Sequence, residues 1–369
     1  MKRLSLYIII VISYLLTGCG GNNNTNPTSS NKDYSGTYKG AATVGDLGSF
    51  NFSTSSPYTN ATLSYTITGS VYTSASASNV ILTPLGGSSD GHFWENSNGI
   101  DIFVASNIGI ANDPNLSPPA KIVALRNPDD ANTIMPSAGA IKKFIYIDHN
   151  RNSNTQKGCV VKFKGDKSLE YSCSDTTSGN GCWAYDPNDN KKVLASISTS
   201  SCTYSNIVSN LDFNIMLKSG IKRDALIVDH VDGSGIGVGV EKKAITTTNN
   251  NPNGDLDPSK TYEFKILQHD NLGNACIETA TLSYNTNQWV YNATRAAPCS
   301  GSSSGIVELN RYYDSSGILL STNGAVAIHN SANSINSYKN LLFDIENGYF
   351  IAIKYDGSGF RVGALTNIY

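Results

Sequence analysis

The residues able to do chemistry lie far apart along this chain. Gly301-Ser302-Ser303-Ser304-Gly305 has the G-x-S-x-G spacing of a serine nucleophile turn. Such a turn needs a strand before it and a helix after it, so that the serine is held strained and exposed. Here it follows Pro298-Cys299-Ser300 in a Ser/Gly-rich stretch, which reads as a loop. Asp148-His149-Asn150-Arg151-Asn152-Ser153-Asn154 places oxygen ligands at alternate positions, as calcium loops do. Position 6, which must be glycine, is Ser153, and position 12, which must be a bidentate glutamate, is Cys159. With the partial patterns at 186–190 and 251–257, it reads as a solvated turn. The five histidines, His92, His149, His230, His269 and His329, lack metal-ligand spacing. Residues 233–239 are glycine-rich but follow a hairpin turn instead of opening a helix, which argues against a phosphate cradle. No catalytic residue, metal site or cofactor is assigned.

The elements that would have to position any site are strands. Only 15% of the 369 residues are charged, and short runs of β-branched and aromatic residues alternate with Asn, Gly, Asp and Ser. That pattern is the mark of an all-β chain, and no stretch shows a sustained helical period. The expected fold is two or three antiparallel β-sandwich or small β-barrel modules in tandem. A formal net charge of −2 leaves no basic surface for nucleic acid. Twenty tyrosines against three tryptophans supply aromatic bodies with polar tips, suited to strand faces or to protein and glycan contacts.

Internal similarity organises the body. Residues 61–72 match 280–291 at seven of twelve positions, each reading as a hairpin. Residues 226–240 match 350–364 at seven of fifteen, both carrying Asp-Gly-Ser-Gly between apolar runs. Phe144–His149 resembles Phe264–His269, which gives His149 and His269 equivalent places and a shared packing role. Modules are expected at 34–135, 140–245 and 260–369, with 246–259 as an Asn-rich linker and each unit holding its own core. Apart from Cys19, six cysteines remain, an even number suited to disulfides outside the cytoplasm. Cys159 and Cys182 are 23 residues apart, as are Cys276 and Cys299, so these are the expected equivalent bridges; Cys173 then pairs with Cys202.

At the N-terminus, Lys2 and Arg3 precede an apolar run from Leu4 to Leu16, and Leu16-Thr17-Gly18-Cys19 closes it. The run is short for a membrane span but suits a signal-peptide core. This arrangement resembles the lipobox of bacterial lipoproteins. The resemblance implies cleavage between Gly18 and Cys19, lipidation of Cys19 and a signal peptide over 1–18. Residues 19–33, almost without apolar side chains, are expected to form a disordered tether. Cleavage would remove Lys2 and Arg3, taking the net charge from −2 to −4. The Gly20 that follows Cys19 points, by the same resemblance, to the outer membrane. Gly181-Cys182-Trp183 also resembles the surroundings of a papain-like nucleophile, but 175–180 lack the glutamine expected there and Asp186-Pro187 leaves no room for a helix. Cys182 is therefore expected to be structural.

These observations point to a membrane-anchored envelope lipoprotein that binds a protein or glycan, without catalysis. The alternatives are an envelope hydrolase with its site assembled between modules, and a lipocalin-like carrier whose barrel interior would be apolar.

Overall fold

The computed structural model describes residues 33–55, 59–85, 92–105, 107–153, 155–173, 177–220, 224–241, 257–269, 275–286, 288–297, 299–309, 312–313, 319–320, 326–329, 338–344, 349–354 and 360–369. Gly18, Cys19, the tether and most of the 246–259 linker lie outside them.

Three antiparallel barrels follow one another. The first is built from β1 (Gly36–Ala42), β2 (Asp46–Thr54), β3 (Ala61–Thr68), β4 (Ala75–Pro84), β5 (Phe93–Glu95), β6 (Asp101–Val104), β7 (Ile108–Asp113) and β8 (Ala120–Arg126). The second contains β9 (Ile141–Asn150), β10 (Thr155–Lys164), β11 (Ser168–Cys173), β12 (Ser178–Tyr185), β13 (Lys192–Ser196), β14 (Phe213–Lys218), β15 (Ala225–His230) and β16 (Gly235–Glu241). The third comprises β17 (Thr261–His269), β18 (Ala275–Asn285), β19 (Gln288–Arg295), β20 (Ser302–Leu309), β23 (Val326–His329), β24 (Tyr338–Asp344), β25 (Tyr349–Lys354) and β26 (Phe360–Ile368). A separate two-stranded ribbon, β21 (Tyr312–Tyr313) with β22 (Leu319–Leu320), sits between β20 and β23 in sequence. Each barrel closes by pairing its last strand with its first: β8 on β1, β16 on β9 and β26 on β17. Closure leaves the three described barrel sheets without a free edge.

Burial along a strand shows what lies on each side of it. In β3 buried positions alternate with wetter ones, so one face looks inward and the other toward solvent. In β7 and β15 every residue is buried. Their inward residues fill a barrel, and their outward residues meet a neighbouring barrel. The first barrel is packed with Tyr38, Phe50, Phe52, Leu63, Ile67, Trp94, Ile102 and Ile122, the second with Phe144, Phe163, Trp183, Ile215 and Leu226, and the third with Tyr262, Phe264, Leu282 and Trp289. Between the barrels runs a further continuous core. Phe93, Phe103, Ile110 and Val123 from the first pack with Ile145, Ile147, Ile227, Ile236 and Val238 from the second and with Leu267, Ile277 and Ala364 from the third. Each barrel has its own interior, as expected from the sequence, and in addition their outer walls share a fourth core.

Two of the expected disulfides are also corrected. Cys276–Cys299 forms, but Cys159 bonds to Cys173 and Cys182 to Cys202, in place of Cys159–Cys182 and Cys173–Cys202. Cys159 and Cys173 are direct cross-strand partners on β10 and β11, so the nearest thiol is one strand away. Cys182 points to the outside of its barrel, where with Leu194 and Ile207 it holds the short helix Tyr204–Ser209 against β12 and β13. The match of 61–72 with 280–291 likewise lays the third strand of one barrel on the second strand of another, so those segments are not topological equivalents. The 226–240 and 350–364 segments are: both span the last two strands of their barrels.

Candidate functional site

The middle barrel differs at its two ends. At one end the segment leaving the first barrel forms a stopper, with Ala131, Ile134 and Met135 buried against Phe144, Phe163, Trp183 and Leu217. Asp130 caps its short helix Ala131–Ile134 by accepting from the Asn132 N–H. At the opposite end a cavity of about 300 Å3 opens into the barrel, within the range of small-molecule sites. Val161, Leu169 and Val228 line its apolar part, Tyr146, Tyr171 and Phe213 its aromatic walls, and Asp148, Lys157, His230 and Ser234 supply polar groups.

Strand alternation explains this composition. Tyr146, Asp148 and Asn150 occupy successive inward positions of β9, while Ile145 and Ile147 face the shared outer core. On β15 Val228 and His230 face inward, and Ile227 outward. On β16 Ile236, Val238 and Val240 are the outward residues, which leaves Gly235, Gly237 and Gly239 facing the lumen. A Cβ on Gly237 would come within 2.8 Å of the Tyr146 ring, so the absent side chain is what lets Tyr146 lie along the wall. The glycine run that the sequence offers thus smooths the inside of a strand.

Asp148 is held in the lumen on β9, which corrects the turn reading for 148–150, while Arg151, Asn152 and Ser153 do form an exposed turn. His230 Nε2 lies 2.8 Å from Asp148 Oδ1, and its Nδ1 lies 3.0 Å from Ser234 Oγ. All three residues are buried, with relative exposures of 7%, 7% and 5%. Burial would push the His230 pKa down, but the hydrogen bond and charge of Asp148 outweigh it and hold His230 above the ordinary imidazole value. Ser234 is fixed by its main chain: its N–H donates to Asp232 Oδ1 at 2.8 Å and its carbonyl accepts from the Arg151 N–H. Burial raises the Tyr185 phenol deeper in the barrel, and Lys167, 3.7 Å from the Trp183 ring and 3.9 Å from that of Tyr185, is lowered by burial.

The other sequence candidates are not brought to this site. Ser302 and Ser304 lie on strand β20, so 301–305 is no strand-to-helix turn. Cys182 is disulfide-bonded on the outer wall. Asp186 turns its own loop, accepting from the Asn188 N–H and pairing with Lys192 at 2.8 Å. His92 packs beside Tyr34 and Phe103, and His149 is buried on the outward side of β9. The side chains of His269 and His329 lie outside the described residues, as does 251–256. Among the described residues no group of three His, Cys, Asp or Glu side chains could hold a metal ion, and no helix is long and apolar enough to cross a membrane. Sequence reasoning missed the cavity. Its signal was present: Asp148, His230 and Ser234 all fall at or beside the ends of apolar strand runs, where inward polar residues are unusual.

Tandem closed β-barrels, with a small-molecule-sized cavity in the second, define the class of molecule. No family model and no curated protein matches the sequence. Among solved structures, the Helicobacter pylori beta clamp bound to a DNA ligase peptide aligns over 97% of both chains, at 7% identity and a TM-score of 0.12. A likeness of that size carries no argument about fold or function.

Proposed function

We propose that this chain is a lipid-anchored lipoprotein of the bacterial outer membrane whose middle barrel binds a small ligand. The observation that carries the binding role is the cavity with apolar floor, aromatic walls and converging polar groups. The anchor rests on the Leu16-Thr17-Gly18-Cys19 string, and the three disulfides favour an oxidising compartment. Several acyl chains on Cys19 would hold the chain at a membrane, at about 0.8 kcal/mol per buried methylene. The cavity moves the emphasis from a macromolecular or glycan surface toward a carrier or receptor for a compact, partly aromatic or aliphatic molecule.

Two measurements test this. Titration of the mature chain, residues 19–369 with Cys19→Ser so that it is unlipidated and soluble, with N-phenyl-1-naphthylamine should give saturable fluorescence enhancement, which Val161→Phe, filling the floor of the cavity, should abolish without lowering the thermal midpoint below the assay temperature. Equal binding by both proteins would refute the cavity as the ligand site. Radiolabelled palmitate should appear in the chain during growth and vanish in Cys19→Ser; a labelled Cys19→Ser protein would refute the anchor.

A further inference from the structure

Ser234, His230 and Asp148 form one hydrogen-bonded line along the cavity wall, and all three face the lumen. The order is hydroxyl, imidazole, carboxylate, which is the order used in acyl transfer, where a base takes the hydroxyl proton and an acid group orients and stabilises the base. The link between His230 and Asp148 joins β15 to β9 across 82 residues, so it is a product of barrel closure and not of the local hairpin. The hydroxyl is placed independently by the two main-chain hydrogen bonds of Ser234. Lys157 lines the same cavity and brings a cation to its wall.

The chain contains its own control for the local explanation. Asp232-Gly233-Ser234-Gly235 recurs as Asp356-Gly357-Ser358-Gly359 in the corresponding last hairpin of the third barrel. There, aligned with His230, stands Lys354, and aligned with Asp148 stands Gln268. The Asp-Gly-Ser-Gly sequence therefore recurs without the histidine and aspartate that accompany it in the second barrel. In sequence, the base and its carboxylate of the second barrel are replaced by Lys354 and Gln268 in the third.

Resting on the reading of this cavity as a ligand site, we propose that it cleaves small carboxylic esters, with Ser234 as nucleophile, His230 as general base and Asp148 as the positioning residue. Ser234 Oγ attacks the ester carbonyl carbon while its proton passes to His230 Nδ1. The carbon–oxygen bond to the alcohol then breaks, and the departing alkoxide takes that proton. A water molecule repeats the sequence on the acyl-serine, its proton going to His230 and then back to Ser234 Oγ, so that ester and water become carboxylic acid and alcohol. Tyr146, Tyr171 and Phe213 favour a short-chain or aromatic acyl group, since about 300 Å3 leaves no space for a long one.

The test uses the same unlipidated mature chain, residues 19–369, with its disulfides intact. A fluorophosphonate probe should form an adduct that peptide mass spectrometry places on Ser234, and p-nitrophenyl butyrate should be hydrolysed. Ser234→Ala should remove the adduct and lower the rate by about 10³-fold or more. Asp148→Asn, which takes a negative charge from His230, should lower kcat and move the acidic limb of the pH–rate profile, where His230 must lose its proton to act as base, to lower pH, a shift that a purely structural role would not produce. Absence of the adduct, or a rate unchanged in a Ser234→Ala protein that still melts cooperatively, overturns the proposal. If N-phenyl-1-naphthylamine still binds, the ligand site stands without the chemistry; if it does not, both readings fall together.

Discussion

Asp229 carries the sharpest stability prediction in the molecule. It lies on β15 at an outward position, 2% exposed, where the wall of the second barrel meets the first. Asn214 Nδ2 donates to its Oδ2 at 2.9 Å, and its Oδ1 has no hydrogen-bond partner. Burial is the main force on this carboxyl. The Asn214 bond and the charges of His230 and Lys192 act against it, while Asp46 of the first barrel adds to it, and the net effect raises the pKa from 3.8 to about 6. A carboxyl with a folded pKa above its unfolded one favours folding in its neutral form. Its contribution is thus complete below about 3.8 and is lost as the pH rises through about 6. A shift of this size is worth about 3 kcal/mol.

Asp229→Asn removes the ionisation and keeps a side chain able to bond Asn214. It should leave stability nearly unchanged at pH 4 and raise it by about 2–3 kcal/mol at pH 7.5. If the chain melts as one unit, that is about 3–4 °C, from an unfolding entropy near 2.1 cal/mol/K per residue. The comparison must be made as variant against parent at each pH. Asp129, Asp186 and Asp232 have lowered pKa values, from backbone and Lys or Ser hydrogen bonds that exceed their burial, and they give stability of opposite pH sign. Those contributions cancel in the difference. Urea melts at five pH values between 4 and 8 would supply it. A flat difference across that range would mean that Asp229 ionises in the fold as it does in water, and would refute the account of this interface.

Three further outcomes are expected. Peptide mapping of the non-reduced chain should recover Cys159 with Cys173, Cys182 with Cys202 and Cys276 with Cys299; recovery of Cys159 with Cys182 would restore the pairing drawn from spacing. Gly45 has φ +76° and a Cβ there would lie 2.5 Å from the Gly233 carbonyl carbon in the next barrel, so Gly45→Val should cost several kcal/mol in a urea melt, and a loss under about 1 kcal/mol would contradict the close contact. Ile227→Ala, truncating a fully buried residue of the core shared by the three barrels, should cost about 2–5 kcal/mol and lower a single calorimetric transition; a variant in which only part of the chain melts earlier would show that the barrels unfold independently.

Much of the architecture was legible because strand alternation and turn residues are local. The 226–240 and 350–364 repeats mark the same closing hairpins in two barrels, and tandem β modules follow from them. What sequence could not distinguish was an inward from a doubly covered strand. Leu226-Ile227-Val228 and Ile236-Gly237-Val238 read as continuous apolar runs because Leu226 and Val228 fill the lumen while Ile227, Ile236 and Val238 enter the shared core. Only the packing of one barrel on another gives the outward residues their burial.

The disulfides and the site failed to emerge from sequence for a related reason. Equal 23-residue spacings suggested equal bridges, yet Cys159 faces Cys173 by cross-strand register, a relation that depends on where the β10–β11 turn falls. Asp148 looked like part of a polar loop because Asn150, Asn152 and Asn154 follow it. The strand instead runs on to Asn150, and its pleat turns Asp148 toward His230. Two residues 82 positions apart become partners when β16 closes on β9, since closure puts the end of β15 two strands away from the end of β9. Asp148 is buried beside Val161, Leu169 and Val228, so an unpaired carboxylate here would carry a large desolvation cost. Pairing with His230 lowers that cost, and the inward-facing glycines of β16 leave the pair beside open space instead of beneath packed side chains. A network kept only for stability would gain by filling that space, which is the physical reason for assigning the cavity a ligand.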